Sequence, residues 1–276
     1  MLADASHGSL RRAIVAAAVG VVLATAACAP RVRLELPTGA GTPLTDLATA
    51  ERAARTSCRT HPAITADLRL SGRIDGERVR GTLQLGVTRE AVRLEGLAPF
   101  GAPVFVLAAQ PGSAVLLLPR ETAVARGTSA LELLDAVVGV ALTPQDLLAM
   151  VSGCGVAEWS VSGGATFSGG WTRLDLDQAR TLWLRTAADG TPLLVAAHDG
   201  RWRIEYTRTS ADWPTAIRLR AAGSGGESSR TDAILALDAP EAMARLPEGA
   251  LEVEIPDGAR EVALADLRKS RELRER

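Results

Sequence analysis

From Pro62 onward the chain alternates apolar and polar side chains in short runs. ITADLRLSGRI (64–74), VRGTLQLGV (79–87) and AVRLEGL (91–97) set apolar residues at every second position, the period of a strand with one buried and one solvated face. PVFVLAA (103–109) and SAVLLLP (113–119) are denser in apolar groups and are joined by the turn Gln110-Pro111-Gly112. After a break the pattern resumes in WTRLDL (171–176), TLWLRTA (181–187), TPLLVAAH (191–198), RWRIEYTR (201–208), TAIRLRAA (215–222) and TDAILALD (231–238). Asp189-Gly190 and Asp199-Gly200, lying between such runs, are hairpin signals. The break itself holds two helix patterns. Ser129 and Glu132 form a capping box ahead of LLDAVV, and Thr143 caps a helix with Pro144 at its first position ahead of LLAMV. Gly139 and Gly153 fit their stops. Upstream, TDLATAERAARTS (45–57) is alanine-rich with alternating charge and predicts a short helix. The glycine-rich VSGGATFSGG (161–170) and GSGGESS (223–229) read as loops. About eleven strands in meander order around one helical insertion predict a mainly β fold, a single large antiparallel sheet curled toward a barrel. A sheet that wide is either plugged by helices or encloses an apolar cavity, and the helices of residues 129–152 are natural lids.

One turn departs from the usual chemistry. In LEGLAPFGAPVFVLAA (94–109), Phe100 stands between Pro99 and Gly101 at a turn tip, in a chain with only three phenylalanines. Turn tips are normally Gly, Pro, Asn, Asp or Ser. A bulky apolar residue there is either folded back onto the core or offered to something outside the protein. The five tryptophans, Trp159, Trp171, Trp183, Trp202 and Trp213, all fall in the second half and read as filler for the sheet.

The 276 residues are 47% apolar with a net charge of -1, which indicates a globular chain with a substantial core and no global pull toward nucleic acid or anionic membranes. The N-terminus adds a destination. Arg11 and Arg12 precede an apolar run at 13–27, shorter than a span of about 20 residues and suited to a signal peptide. It ends in Leu-Ala-Thr-Ala-Ala-Cys and resembles a bacterial lipobox, with Thr25 where leucine is usual; Cys28 would be the acylated mature N-terminus. Ordinary cleavage near Ala27 is the alternative. Residues 1–27 are thus read as a signal peptide, 28–43 as a lipidated tether rich in Pro, Gly and Thr, and 44–276 as one folded domain. With Ala29 rather than aspartate after the cysteine, the resemblance to known sorting signals favours the periplasmic face of the outer membrane. Cys58 and Cys154 are then an even pair in an oxidising compartment; either they bridge or they are two separate buried thiols.

Candidate chemistry is sparse. Beyond His7 in the leader, the histidines are His61 and His198, in no metal-pair spacing, and H-E-x-x-H, C-x-x-C, G-x-S-x-G and P-loop motifs are absent from the sequence. Asp175 and Asp177 alternate on one strand and fit a solvated face. The expectation is no enzyme, no catalytic residue, no metal and no cofactor, and no nucleic acid as partner.

The succession THPAITADLRLSGRI, RGTLQL, RLEGLAPFGAPVFVLAA, LLPRET, ALELLDAVVG, TPQDLLAMVSG and GRWRIEYTR resembles the LolB family of outer-membrane lipoprotein receptors and its LolA/LolB-like relatives. The likeness covers residues 60–208 and continues more weakly to Asp238. It implies an unclosed β-barrel capped by helices, anchored through an N-terminal lipid. Such a receptor accepts acylated lipoproteins from a soluble periplasmic LolA-like carrier and inserts them into the outer membrane without covalent chemistry; a monomer is expected. Pro99-Phe100-Gly101 stands where the family has a Pro-Leu-Gly loop that assists membrane insertion. The cavity for acyl chains would be lined by Leu83, Leu85, Leu94, Phe105, Leu107, Leu116 and Leu118 from strands and by Leu133, Leu134, Leu147 and Leu148 from the lids; alternation leaves the face of each strand open. The extension from about residue 239, the cysteine pair and Thr25 depart from the family. They leave two alternatives standing, a carrier of free lipid or glycolipid on the same fold and a structural envelope lipoprotein. The tail VALADLRKSRELRER (262–276) reads as a solvated face of mixed charge, with a partner-binding helix as the alternative.

Overall fold

The computed structural model describes residues 34–74, 76–138, 140–208, 212–221, 231–267 and 269. The expected signal peptide, Cys28, Gly139, the stretch 223–229 expected to be a loop, and most of the tail lie outside them. Met1–Leu36 forms one unit, of which residues 34–36 are described, and Pro37–Arg276 forms a second, compact one.

In the compact unit, β1 (Thr42–Pro43) precedes helix α1 (Leu47–Thr56). A first meander follows: β2 (Ala63–Ile74), β3 (Glu77–Thr88), β4 (Val92–Leu97), β5 (Pro103–Gln110), β6 (Ser113–Leu118) and β7 (Ala123–Gly127). Helices α2 (Ala130–Val138) and α3 (Pro144–Val151) carry the chain to a second meander. Its strands are β8 (Val161–Phe167), β9 (Trp171–Leu176), β10 (Thr181–Thr186), β11 (Pro192–His198), β12 (Trp202–Thr207), β13 (Ala216–Ala221) and β14 (Asp232–Met243). β14 returns beside β2, pairing from Asp232 opposite Arg73 to Met243 opposite Ala63, so both meanders belong to one sheet with β8 and β7 toward its ends. All pairings are antiparallel except that of β15 (Arg260–Glu261) along β7.

The sheet curls because its two halves bury their apolar faces on each other. Leu68, Leu85, Leu107 and Leu116 from β2–β6 share one core with Leu174, Leu182, Leu194, Ile204 and Ile217 from β9–β13, and with Leu133 and Leu148 from α2 and α3. Distant strands can share a core only on the concave side of a bent sheet. The barrel stays open, and each end of the sheet is blunted: two residues of β1 cover β8 and two of β15 cover β7. Short covering strands of this kind keep an edge from recruiting another chain.

Local signals place the helices. Asp46 accepts a hydrogen bond from the Thr49 amide at 2.9 Å and starts α1. At α3 the capping box of Thr143 and Asp146 is complete. At α2 the Glu132 carboxylate instead reaches Thr128, accepting from its amide and its hydroxyl at 2.9 Å.

The sheet has fifteen strands where eleven were expected. VSGGATF is strand β8 rather than a loop: a side chain at Gly164 would strike the Arg173 carbonyl oxygen and Leu44, both 2.5 Å from its Cβ position, so glycine here marks close backbone approach. AVARG forms β7, too short to read as alternation. The end of the supposed tether, Thr42–Pro43, and part of the supposed tail, Arg260–Glu261, supply the two edge covers. The extension begins after Met243 rather than near 239, because β14 resumes its register at Glu241 beyond a bulge at Ala239 (φ 44). It then crosses the convex face. Leu246 packs on Gly86, the Arg93 guanidinium donates to the carbonyls of Ala250 and Glu252 at 3.2 and 2.7 Å, and Leu264 and Leu267 reach the core.

Candidate functional site

Three features bear on function: a hairpin tip, the concave interior, and a cavity at one end of the helices. The tip joins β4 to β5. Gly101 donates to the Ala98 carbonyl at 2.9 Å and Ala98 donates to the Ala102 carbonyl at 2.8 Å, which closes a three-residue loop, Pro99-Phe100-Gly101. Proline suits the second position of such a turn, and glycine suits the left-handed position that follows it; Gly101 has φ +81. The phenylalanine between them is left with no neighbour to fold onto. Its side chain is fully exposed, and the other exposed large apolar residue among those described, Val104 at 37%, stands on the same hairpin. Val104 occupies an ordinary outward position of β5, so alternation alone does not mark it out. Below the tip, the Phe105 ring lies across Gly96, its cross-strand partner. A Cβ on Gly96 would sit inside the ring's contact distance, so the glycine is what lets the ring lie flat.

All eleven of the residues assigned to the acyl cavity lie in or against the one large core cluster. Leu85, Leu107, Leu116, Leu133, Leu134 and Leu148 are buried; Leu83, Leu94, Phe105, Leu118 and Leu147 are half-buried and pack on them. They come from the concave face of β3–β6 and from α2 and α3. The tryptophans divide differently. Trp202 is in this core, whereas Trp183 is buried on the other face against Phe167 and Trp171 at ring distances of 5.5 and 6.3 Å.

A cavity of about 550 Å3 opens between the end of α1, residues 58–62, the β3–β4 turn, α3 and residues 154–159, within the range of about 300–1,000 Å3 usual for ligand sites. Leu148, Ala149 and Val156 give it an apolar side, and Arg55, His61, Arg89 and Glu158 a polar one. Leu148 belongs both to this wall and to the core. The polar side is organised around one segment. Arg55 stacks on Trp159 at 4.1 Å and donates to its carbonyl, Arg89 pairs with Glu158 at 3.5 Å, and Arg180 donates to the carbonyls of Ala157 and Glu158. Cys58 and Cys154 are joined, with Cα atoms 5.0 Å apart, and tie the ends of α1 and α3 together at the cavity wall.

Two groups, the buried Tyr206 and the half-buried Arg208, fix the far end of α3. The Tyr206 hydroxyl donates to the Met150 carbonyl and accepts from the Gly155 amide, both at 3.1 Å; burial pushes its pKa up, so it keeps its proton. Arg208 donates to the carbonyls of Gly153, Leu194 and Asp212, and burial lowers its pKa from the usual guanidinium value. Ser152 differs: its Oγ is buried without a hydrogen-bond partner, beside the cavity. Among the described residues no group of three or more His, Cys, Asp or Glu could hold a metal ion, and no helix is long and apolar enough to cross a membrane.

No family model and no curated protein matches the chain. Solved structures do. A LolA superfamily protein from Nitrosomonas europaea is 12% identical, with 74% of this chain and 97% of that chain covered and a TM-score of 0.48. An outer membrane lipoprotein-sorting protein domain from Vibrio parahaemolyticus is 12% identical over 74% and 94% of the two chains, with a TM-score of 0.40. The lipoprotein LppX of Mycobacterium tuberculosis is 12% identical over 75% and 97%, with a TM-score of 0.28. Likenesses this distant carry no functional argument, and the architecture rests on the strand pairing of the chain itself.

Proposed function

We propose that this protein is a lipid-anchored receptor of the bacterial envelope, held by an acylated Cys28 at the periplasmic face of the outer membrane. It accepts acylated lipoproteins from a LolA-like carrier and inserts them into that membrane, without covalent chemistry. The observation that carries this reading is Phe100, fully exposed at the tip of a turn fixed by Pro99 and Gly101. An apolar side chain held away from its own core gains by entering a bilayer, worth about 1.5–3 kcal/mol for a phenylalanine removed from water. The N-terminal lipid supplies the second membrane signal that stable attachment requires.

In this reading the acyl chain lies along the concave leucines of β3–β6, with α2 and α3 moving aside, and Leu148 links that interior to the 550 Å3 cavity through which the chain enters. Burying about 16 carbons gains roughly 13 kcal/mol from water. The donor and the acceptor are themselves apolar, so small differences between sites suffice to direct the flow, and no nucleotide is required. A second reading, a carrier of free lipid or glycolipid, draws on the polar wall of the cavity: Arg55, His61, Arg89 and the unpartnered Ser152 Oγ suit a head group.

The test is transfer of an acylated lipoprotein from its carrier to liposomes, using the chain from Ala29 onward. Phe100→Glu is expected to keep cargo binding and to lower delivery about 10- to 100-fold, the equivalent of the burial it forfeits. Equal delivery by variant and parent reduces the loop to a turn. Absence of any transfer by the parent, together with a co-purifying lipid, favours the second reading.

A further inference from the structure

The register of five neighbouring strands lines up arginines on the convex face. Directly opposite one another run Arg203 on β12, Arg220 on β13, Asp232 on β14, Arg73 on β2 and Arg78 on β3. The next outward row holds Glu205, Arg218, Ile234, Ser71 and Arg80. Six arginines thus face two carboxylates, in a chain whose net charge is -1.

Both carboxylates are spoken for on β12–β14. Glu205 pairs with Arg203 and Arg220 at 2.7 Å, and Asp232 pairs with Arg218. On the β2–β3 arm the arginines stand differently. Arg73, Arg78 and Arg80 are exposed, and no ion pair among the described residues engages them. Arg73 donates to the Gly76 carbonyl at 2.7 Å, a contact with a neutral group, and Asp232 across from it is held by Arg218. Like charges directly opposite on paired strands destabilise a sheet, so the juxtaposition of Arg73 and Arg78 does nothing for folding, and the carboxylate on the other side of Arg73, Asp232, is shared with Arg218; an anion from outside would relieve it.

Position identifies the anion. β3 pairs with β4 only as far as Thr82, which faces Leu97. The arm therefore runs about 13 Å past β4 before it reaches Arg78. It stands at the same end of the sheet as the loop that carries Phe100. A fully exposed phenylalanine at the same end of the sheet as three exposed guanidinium groups is the pairing that a charged bilayer recognises: the ring enters the apolar layer and the guanidinium groups engage phosphate oxygens. An acidic protein surface would use the arginines but would give Phe100 no apolar depth. We propose that the β2–β3 arm, through Arg73, Arg78 and Arg80, binds the phosphate groups of an anionic bilayer surface and orients the Phe100 loop toward it; this rests on the membrane-contact reading of that loop.

The experiment is sedimentation of the chain from Ala29 onward, which retains the whole compact unit Pro37–Arg276, with vesicles of phosphatidylcholine alone or with about one third phosphatidylglycerol. The parent should prefer the anionic vesicles and lose that preference as salt is raised. A basic residue near such a surface contributes about fivefold in affinity. The triple variant Arg73→Gln, Arg78→Gln, Arg80→Gln should therefore bind anionic vesicles at least about tenfold more weakly, with binding to neutral vesicles and thermal melting unchanged. Equal binding of triple variant and parent to anionic vesicles overturns the proposal. So does a triple variant that binds vesicles normally but no longer accepts cargo from the carrier, an outcome that assigns the arm to an acidic protein. Phe100→Glu separates the two ideas. If it loses delivery while the arginine variant is silent, only the arm fails; if the arginine variant loses anionic binding while Phe100→Glu delivers normally, the arm stands and the insertion reading fails.

Discussion

At the scale of single residues, glycine and proline decide what the β4–β5 hairpin can present. Pro99 and Gly101 set the turn, and their short-range chemistry made it readable without any tertiary information, whereas the choice between a Phe100 folded back and a Phe100 held outward was made by the structure, which leaves it fully exposed. Gly96 acts through a contact that no local rule reveals, because its partner Phe105 is defined by cross-strand register. Gly96→Ala would push a methyl group into that ring. We expect it to destabilise the fold by about 1–3 kcal/mol, the usual cost of forcing a packed side chain off its position, as a lower urea midpoint. An unchanged midpoint would mean that Phe105 swings aside freely. Phe100→Glu, by contrast, should melt within about 0.5 kcal/mol of the parent, since nothing packs on the parent side chain.

Among elements, the strands with clean alternation were legible and the irregular ones were not. β2, β3 and β4 show the period because one face meets the core and the other meets water. β8 hides it behind Gly163 and Gly164, the second of which admits Leu44 and a neighbouring backbone. Helix α3 was readable from its cap and proline, yet its fixing to α1 through Cys58 and Cys154 depends on two chain segments 96 residues apart. Closing a loop of that size is worth about 4.7 kcal/mol in the chain-entropy model. The variant Cys58→Ser, Cys154→Ser should accordingly lose about 2–4 kcal/mol of stability in denaturant titration. Because the bridge lines the 550 Å3 cavity, α1 and α3 should also gain amide exchange ahead of the sheet. Loss confined to global stability, with no local change at α1 or α3, would show that the bridge does not shape the cavity.

For the whole molecule, the decisive feature is a sheet whose two halves face each other across α2 and α3. If the interior receives an acyl chain, a fluorescent fatty acid should bind saturably to the chain from Ala29 onward. Amide exchange should then rise in α2 and α3 and stay constant in β2, β3 and β14, the long strands at the middle of the sheet. Absence of saturable binding would favour a structural lipoprotein with a solidly packed interior. The sequence by itself determined the strand-forming character, the three helices and the odd turn at Phe100, because each depends on periodicity or on chemistry within a few residues; which face of each strand carries its leucines into the core was decided by the assembled sheet. Only the tertiary structure decided that β14 closes on β2, that residues 42–43 and 260–261 blunt the two edges, that the extension lies across the convex face, and that Arg73 and Arg78 stand opposite each other. These are pairings between segments far apart in the chain. They are selected by the burial and hydrogen bonding of the assembled sheet, which no local pattern encodes.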